Sequence, residues 1–317
     1  MFAWPLYGAR MLRVLTKAGS MLAALACLLG TAGAATAWAV PPRTAAIDFG
    51  GLARTYELHL PPGVDQPSGL VVNLHAAGMT GREQADLTHY NAVADAHGFA
   101  VVYPDGIDLS WADGRGASVP DRQGVDDVGF LTALVSKLVA DHGISPGRVF
   151  VTGLSAGAFM ANRLACDRAD LFAAIAPVAG TLGSNVGCAP SRPVAVMATY
   201  GTADPIVPFG GGPMTGRGGV SDILSAPAMV QRWRQLNGCA DTPAQAPLAP
   251  SGDGTQTDRI DYAPCAPGGD VVFMRVNAGG HTWPGAPEVL SAQAVGLASH
   301  GFDASEASWQ FFDSHGR

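Results

Sequence analysis

Lysine is almost absent from this sequence of 317 residues, and charged residues of all kinds make up only 14% of it. Lys17 lies near the N-terminus, and Lys137 is the only other lysine. The formal net charge is −7 at pH 7, and no basic run occurs. Nucleic acids and anionic membranes attract basic surfaces, which this chain lacks. We therefore expect neither among the partners of the folded protein.

Long apolar runs are also missing, except near the N-terminus. Arg10, Arg13 and Lys17 precede the run MLAALACLLGTAGAATAWA. A positive segment, an apolar segment and a small-residue cleavage site are typical of a secretory signal peptide. Cleavage after Ala39 would remove three positive charges and no acidic residue, so the net charge would move from −7 to −10.

The predicted organisation is therefore a signal peptide over residues 1–39 and one folded domain over 40–317. A second cleavage site ends at Ala34. A retained membrane anchor is the alternative, but the apolar run is short of a full span. A lipid anchor on Cys27 is a further alternative, although ALAC lacks the usual leucine three positions before the cysteine. We expect export, to the periplasm or outside the cell, and a monomer.

Cysteine is scarce as well, with four residues outside the predicted leader. An even number in an exported chain suggests two disulfides. Three pairings are possible, and we favour the local one, Cys166–Cys188 and Cys239–Cys265, because it closes short loops. Neither Cys-x-x-Cys nor His-x-x-x-His spacing occurs, so we expect no metal site and no cofactor.

Strand-like apolar runs alternate with helix-like runs along the rest of the chain. GLVVNLHAAG, FAVVYPDG, RVFVTG, FAAIAPVAG, RPVAVMATYG and VVFMRVNAGG read as strands, and TYELHLPPG as an edge strand. REQADLTHYNAVADAHG and DDVGFLTALVSKLVADHG read as helices that stop at glycine. Such alternation predicts an α/β fold with a mostly parallel sheet and helices on both faces. Residues 210–219 and 241–258 are rich in glycine or proline, and we interpret them as surface excursions.

The strongest local pattern surrounds Ser155, in RVFVTGLSAGAFMANRLA. A β-branched and aromatic run precedes Gly-Leu-Ser-Ala-Gly, and apolar residues at helical spacing follow it. Strand, G-x-S-x-G and helix in this order are the context of a nucleophile elbow, whereas the pentapeptide alone is a weak signal. We predict that Ser155 is a catalytic nucleophile; the alternative is a serine in a structural turn.

A serine nucleophile needs a general base, and the base needs an orienting acid. In the α/β-hydrolase order both follow the serine. Of the three histidines after Ser155, His281 directly follows a strand on a glycine-rich loop. Asp204 likewise follows a predicted strand, in TYGTAD. We predict His281 as base and Asp204 as acid. The remaining candidates are less well placed: His300, His315, Asp167, Asp170 and Asp222.

An oxyanion hole needs two aimed N–H groups. One comes from the residue after the nucleophile, here Ala156. The other usually comes from a loop after an early strand, and NLHAAGMTG fits this position, with Ala77 as the predicted donor and Ala76 as the alternative. His75 is interpreted as a residue that shapes this loop.

Seven sequence blocks together resemble a known family. In order they are LHAAGMTG, YPDG…WADG, VDDVGFLTALV, RVFVTGLSAGAFMANRLAC, FAAIAPVAG, GTADPIVPFGG and GGHTWPG. They resemble the secreted polyhydroxybutyrate depolymerase-like esterases, which are close to feruloyl and acetyl xylan esterases. The resemblance extends over roughly residues 45–312, judged from these blocks. It implies a single-domain α/β-hydrolase that cleaves carboxylic esters without a cofactor, with Ser155, Asp204 and His281 as its triad.

The predicted function is thus hydrolysis of carboxylic esters through an acyl-enzyme. Polymer depolymerases of this group often carry a linker and a surface-binding domain, and neither is recognised here. Soluble hydroxyalkanoate oligomers, feruloyl esters and acetyl esters are therefore expected at least as much as an insoluble polyester. Trp111 and Trp283 are predicted to form walls of the substrate pocket, with core packing as the alternative. The alternative functions are an acyltransferase with the same triad, a peptidase, and a non-catalytic binding protein on the same scaffold.

Overall fold

The computed structural model describes residues 43–287 and 290–317. The predicted signal peptide, residues 1–39, lies outside the described residues. The strands are β1 Arg43–Phe49, β2 Leu52–His59, β3 Leu70–Leu74, β4 Ala100–Pro104, β5 Val149–Leu154, β6 Ala174–Val178, β7 Ala195–Gly201, β8 Gly212–Gly216, β9 Gly219–Ile223, β10 Ala244–Pro247, β11 Gln256–Tyr262 and β12 Val271–Asn277. The helices are α1 Gly81–Thr88, α2 Tyr90–His97, α3 Val119–Gln123, α4 Asp127–His142, α5 Ala156–Asp167, α6 Ala226–Leu236, α7 Ala292–Val295 and α8 Ala304–Ser314, with a short 3₁₀ turn at Ile107–Leu109.

Ten of the described strands form one sheet, in the order β1-β2-β4-β3-β5-β6-β7-β12-β11-β10. The six strands from β4 to β12 in this order run parallel to one another. The outer pairings at both edges are antiparallel. This arrangement confirms the predicted mostly parallel sheet. It also brings the carboxyl ends of β3, β5, β6, β7 and β12 to one edge, where ligands bind in such sheets.

The core consists of two layers, one on each face of the sheet. Val149 and Val151 of β5 belong to one buried cluster, and Phe150 between them belongs to the other. Strand side chains alternate between faces, so apolar residues at every position require a helix layer on both sides. Helices α4, α5 and α6 supply buried residues to the first layer, and α1, α2 and α8 to the second. No helix in the described ranges is long and apolar enough to cross a bilayer.

The segment predicted as one helix over residues 82–98 is two helices. His89 interrupts it with φ 49° and ψ 25°, a left-handed conformation, so α1 ends at Thr88 and α2 begins at Tyr90. The break has a tertiary cause. Helix α1 packs on β3 and β4, whereas α2 packs on α8, where the Tyr90 hydroxyl bonds to Ser308 Oγ at 2.8 Å. The prediction of a single helix was therefore wrong. The sequence did not reveal the break because no glycine or proline marks it.

The edges of the sheet also differ from the prediction. The run TYELHLPPG was expected at the edge, but β2 is the second strand and β1 lies outside it. Residues 241–258 were expected as an irregular excursion, yet they contain β10 and the start of β11. Every residue of β10 is exposed, and β1 alternates between exposed and half-buried positions. Neither strand therefore has the apolar run that reveals a buried strand in a sequence.

Candidate active site

The turn between β5 and α5 is a sharp strand-to-helix turn centred on Ser155. This residue has φ 56° and ψ −116°, a strained conformation for any residue with a side chain. A Cβ atom on Gly157 would lie 2.1 Å from the carbonyl oxygen of Leu74, and one on Gly153 would lie 2.6 Å from the same atom. Both glycines are required because the turn packs directly against the end of β3.

Backbone hydrogen bonds hold Ser155 in this conformation. Its N–H donates to the carbonyl of Val178 at 2.9 Å, and its own carbonyl accepts from Ala158 N–H at 2.9 Å and Phe159 N–H at 3.0 Å. The residue is 7% exposed and precedes the first residue of α5. A helix N-terminus presents unsatisfied N–H groups and a positive dipole end, which favour negative charge beside Ser155.

His281 and Asp204 form a buried hydrogen-bonded pair. They follow β12 and β7, which are neighbours in the sheet, and His281 Nδ1 lies 2.7 Å from Asp204 Oδ2. The side chains are 8% and 3% exposed, so water screens the pair little. An ionised carboxylate can only accept hydrogen bonds, so Nδ1 is the donor. In the neutral ring, Nε2 is then left to accept a proton.

The second oxygen of Asp204 fixes the turn on which the residue lies. Oδ1 accepts the N–H of Ile206 at 2.7 Å and that of Val207 at 2.8 Å. A turn-forming aspartate is what TADP suggests by itself, since aspartate side chains commonly bond to backbone N–H groups two residues on. Asp204 is both a turn residue through Oδ1 and the partner of His281 through Oδ2.

The loop that carries His281 is anchored by backbone contacts. The N–H of His281 donates to the carbonyl of Val295 at 2.5 Å, and that of Gly280 to Leu297 at 2.8 Å. A Cβ on Gly280 would lie 2.1 Å from the Val295 carbonyl oxygen. Glycine is therefore needed beside the histidine for close packing of two backbone segments, and the imidazole is aimed by a fixed loop.

Ser155 lies at the same edge of the sheet as this pair, because β5 is separated from β7 only by β6. Within the described residues, Ser155 Oγ is not hydrogen-bonded to His281 Nε2. Such bonds are often long without substrate and tighten when it binds. The structure thus joins His281 to Asp204 directly and places Ser155 on a neighbouring loop.

The two competing histidines and the three competing aspartates have other partners. Asp167 and Asp170 pair with arginines of their own segments, and His315 contacts Asp270 near the C-terminus. Asp222 lies on β9 and provides a backbone carbonyl to Ser184. His300 donates its backbone N–H to Asp253.

Two backbone N–H groups face no protein acceptor at this edge. In the part of the chain that the structure describes, neither Ala77 N–H nor Ala156 N–H donates to a protein atom. Ala77 is exposed on the loop after β3, and Ala156 is the first residue of α5. Free N–H groups beside a buried serine can bind an oxyanion.

His75 shapes the loop that carries Ala77. Its Nε2 accepts the N–H of Gly106 at 2.9 Å, so Nδ1 carries the proton and donates to the Ala76 carbonyl at 2.8 Å. Burial lowers the pKa of His75 below its ordinary value, which keeps the ring neutral as this bonding pattern requires. Gly78 N–H also donates to the Leu109 carbonyl at 2.8 Å. The loop is therefore tied to residues 106–109.

Trp111 and Trp283 lie in the core, which corrects their predicted place in the pocket wall. Trp111 has no exposed surface, and its Nε1 donates to the His75 carbonyl at 2.9 Å. Trp283 is 2% exposed, and its Nε1 donates to Ser305 Oγ at 3.1 Å. A buried indole with its N–H satisfied is a packing residue that has no surface left for a substrate. Through its bond to the His75 carbonyl, Trp111 supports the start of the loop that carries Ala77.

The segment 210–219, interpreted from the sequence as a surface excursion, contains β8 and the turn that joins it to β9 in a β-hairpin. The turn is docked, since Gly218 N–H donates to the Ala117 carbonyl at 2.8 Å. The hairpin also contributes to a small apolar cluster that joins it to α5 and to the Asp204 turn. The cluster consists of Phe159, Val207, Met214 and Ile223.

A buried ion pair beside this cluster was missed in the sequence. Arg115 Nη2 lies 2.8 Å from Asp113 Oδ2, and the side chains are 5% and 1% exposed. The Arg115 guanidinium also lies 3.5 Å from the ring centroid of Phe159 on α5. The pair therefore links the turn at 113–115 to the helix that follows Ser155. An acidic and a basic residue two positions apart are too common on surfaces to reveal this.

Both disulfides form as predicted, Cys166–Cys188 and Cys239–Cys265. The first ties the end of α5 and lines a surface cavity of about 560 Å³ that does not include Ser155, Asp204 or His281. Disulfides of this kind are typical of oxidising compartments. No group of three or more metal-ligating side chains occurs in the described ranges.

The fold and the site define the class. A mostly parallel sheet with a strained serine elbow and an Asp–His pair on later strand ends is an α/β-hydrolase arrangement. Residues 54–210 match the family described as Esterase PHB depolymerase. The chain is 32% identical to "Putative esterase NocK" of Nocardia uniformis subsp. tsuyamanensis over 82% of this chain and 79% of the relative. It is 31% identical to feruloyl esterase C of Emericella nidulans over 82% and 83%.

The chain therefore belongs to the esterase PHB depolymerase family and is a carboxylic ester hydrolase. Among solved structures, an acetyl xylan esterase from Aspergillus awamori matches with a TM-score of 0.50 and 17% identity. That match covers 72% of this chain and 89% of the other, and at this identity it supports the fold alone.

Proposed function

We propose that the protein is an exported serine esterase that acts through Ser155, His281 and Asp204. The observation that carries the proposal is the buried 2.7 Å hydrogen bond from His281 Nδ1 to Asp204 Oδ2, beside the strained elbow at Ser155. A histidine oriented in this way accepts a proton at Nε2, which is what a serine nucleophile requires.

In the first half of the reaction, Ser155 Oγ attacks the ester carbonyl while its proton passes to His281 Nε2. The Asp204 carboxylate stabilises the imidazolium that forms. The carbonyl oxygen becomes an oxyanion, and the N–H groups of Ala77 and Ala156 donate hydrogen bonds to it. Collapse of the tetrahedral intermediate breaks the bond to the alkoxy oxygen, which leaves as an alcohol with the His281 proton.

In the second half, water replaces the alcohol. His281 takes a proton from the water as its oxygen attacks the acyl carbonyl, and the same two N–H groups hold the new oxyanion. The bond to Ser155 Oγ then breaks, the proton returns to Oγ, and the free acid leaves.

The proposed substrates are hydroxyalkanoate oligomers or polyesters and feruloyl or acetyl esters of the plant cell wall. The family description and the names of the relatives support both classes. The two disulfides support export, since such bonds persist outside the reducing cytosol.

A panel of esters tests this proposal. We would compare p-nitrophenyl acetate and butyrate, methyl ferulate, acetylated xylan and hydroxybutyrate oligomers, with Ser155→Ala beside the wild type. Ser136→Ala is the matched control, because Ser136 is an exposed serine on α4 whose hydroxyl bonds, within the described residues, only to the Thr132 carbonyl. We expect Ser155→Ala alone to abolish hydrolysis. Equal hydrolysis by both variants would refute the triad, and acyl transfer to an added alcohol in preference to water would favour the acyltransferase alternative.

A further inference from the structure

Arg217 lies beside the loop that carries Ala77. It occupies the two-residue turn between the paired Gly216 and Gly219, at the tip of the β8–β9 hairpin. Its Nη1 lies 3.5 Å from the position that a Cβ on Gly78 would occupy. Apart from Gly78 and its chain neighbours, no other heavy atom of the described residues lies within 4 Å of that position. The guanidinium therefore borders the open space next to the proposed oxyanion donor.

This arginine has no acidic partner among the described residues, although most of the other arginines do. The carboxylates on the neighbouring segments are engaged elsewhere. Asp121, on the segment that the hairpin turn contacts, accepts the N–H groups of Gly114 and Gly116. Glu83 accepts from the backbone and hydroxyl of Thr80, and Asp105 accepts from Thr55 Oγ1 and from Gly81 N–H. The Arg217 side chain is exposed and can bind an anion from solution.

The position of the Arg217 backbone is fixed. Next to it, Gly218 donates its N–H to the Ala117 carbonyl at 2.8 Å. A Cβ on Gly218 would lie 2.3 Å from the backbone carbon of Ser118, so the turn packs directly on this segment. A fixed backbone limits the region that the long side chain samples.

The same segment is bonded to the Ala77 loop. Ser118 Oγ donates to the Trp111 carbonyl at 2.8 Å, and Trp111 Nε1 donates to the His75 carbonyl at 2.9 Å. The hairpin turn and the loop after β3 are therefore held in one network, which joins the backbone at Arg217 to the backbone at His75.

The overall charge of the chain makes an arginine without an acidic partner informative at this place. The chain carries a net charge of −7, so its field repels anionic ligands at long range. A guanidinium forms two parallel N–H···O bonds with a carboxylate, a geometry that lysine does not reproduce.

We propose that Arg217 binds a free carboxylate on the substrate, so that this esterase prefers esters in which one part is an acid. The proposal rests on the proposed function, because it takes the Ser155 and Ala77 region as the ester-binding centre. Short hydroxy-acid oligomers carry such a carboxylate on the alcohol part of the ester. Half-esters of dicarboxylic acids carry it on the acyl part.

The experiment compares matched pairs of esters that differ only in this charge. One pair is the 3-hydroxybutyrate dimer as its free acid and as its amide-capped form. The second is the mono-p-nitrophenyl ester of adipic acid and the p-nitrophenyl ester of its monoamide. We expect the wild type to prefer the acid in at least one pair by about fivefold in kcat/KM, the upper range for an exposed ion pair. Which pair shows the preference identifies the side of the ester that Arg217 faces.

Arg217→Gln should reduce this ratio to about one without changing kcat/KM for the neutral member, and Arg217→Lys should retain part of it. Arg122→Gln is the matched control. Arg122 is also exposed and without an acidic partner in the described ranges, but its Nη1 borders Gly219 of the hairpin rather than Gly78. Added salt should weaken the wild-type preference, because exposed charges are screened.

Two results would overturn the inference while leaving the esterase proposal intact. One is an acid-to-neutral ratio that Arg217→Gln leaves unchanged in both pairs. The other is an equal loss on acid and neutral esters, which would indicate a structural role. Hydrolysis that persists in Ser155→Ala would instead refute the proposed function itself.

Discussion

The variant Trp111→Phe tests whether Trp111 holds the Ala77 loop in place for catalysis or only packs in the core. The substitution removes the indole N–H that donates to the His75 carbonyl at 2.9 Å and leaves that buried carbonyl without this partner. An unsatisfied buried polar group costs about 1–3 kcal/mol. The smaller ring adds a partial cavity that costs less than the roughly 3–5 kcal/mol of a change to alanine. We expect a loss of about 2–4 kcal/mol in the free energy of unfolding, summed from these two costs.

Catalysis should suffer beyond this loss of stability. Removing one oxyanion donor reduces kcat by about 10²–10³-fold in enzymes of this type. A shifted loop weakens the Ala77 donor without removing it, so we expect kcat/KM to fall by about 10- to 100-fold in fully folded protein. Urea unfolding would measure stability, and hydrolysis of p-nitrophenyl butyrate at a temperature well below the transition would measure activity.

Trp233→Phe provides the control. Trp233 also has no exposed surface, and its Nε1 donates to Asn162 Oδ1 at 2.9 Å, so the substitution again removes one buried indole hydrogen bond. It has no hydrogen bond to the loop after β3. We expect a similar loss of stability and kcat/KM within about twofold of the wild type, the range of an effect below 0.5 kcal/mol. Equal activities of the two variants would refute a supporting role for Trp111.

Three further predictions concern the site. Gly157→Ala should unfold the elbow or prevent expression of folded protein, because its Cβ would lie 2.1 Å from the Leu74 carbonyl oxygen; circular dichroism and soluble yield would measure this. Asp204→Asn should lower kcat by about 10³–10⁴-fold, since Nδ1 loses its carboxylate. It should cost under about 1 kcal/mol in urea unfolding, because the amide oxygen can still accept the two backbone N–H bonds. Burial lowers the folded-state pKa of His75 below its ordinary value of 6.5. The contribution of the neutral His75 ring to the free energy of unfolding is therefore complete above pH 6.5 and is lost as the pH falls toward the folded-state pKa. Relative to His75→Gln, the wild type should lose up to about 1.4 kcal/mol per pH unit below pH 6.5, measured by urea unfolding.

Each of these has an outcome that would contradict it. A folded and active Gly157→Ala would mean that the elbow can move away from β3, and Gly187→Ala, where no atom lies within 4 Å, serves as its control. If Asp204→Asn lost activity only in proportion to the fraction of unfolded protein, the role of Asp204 would be limited to fixing its turn. If the free energy of unfolding changed with pH equally in the wild type and in His75→Gln, the pKa of His75 would be the same in the folded and unfolded states.

The parts of the site that follow strict local geometry could be predicted from the sequence. Gly153 and Gly157 around Ser155 mark a turn that only glycine permits. Asp204 and His281 could be chosen because each follows a strand that the sheet topology brings to the same edge. The even number of cysteines predicted two disulfides, and loop length predicted their pairing.

The parts that depend on tertiary packing could not be predicted. Trp283 lies two residues from His281, yet its ring packs toward Ser305 at the start of α8. The break at His89 follows from the separate packing of two helices, and the exposed strand β10 has no apolar pattern. Arg217 had one weak signal, a single cation among glycines in GGGPMTGRGG, but nothing in the sequence places it beside Gly78.

The hairpin of β8 and β9 has a consequence for how this protein can change. Its strands contact α5 and the Asp204 turn through Met214 and Ile223, but its tip at Arg217 lies outside that cluster. The loops with Ser155, Asp204 and His281 are fixed by bonds to β6, their own turn and residues 295–297. The tip residue can therefore be exchanged without altering the reaction centre. A library at Arg217 should change which esters are accepted while the chemistry stays the same. Substrate range and catalytic competence can then evolve separately in this scaffold.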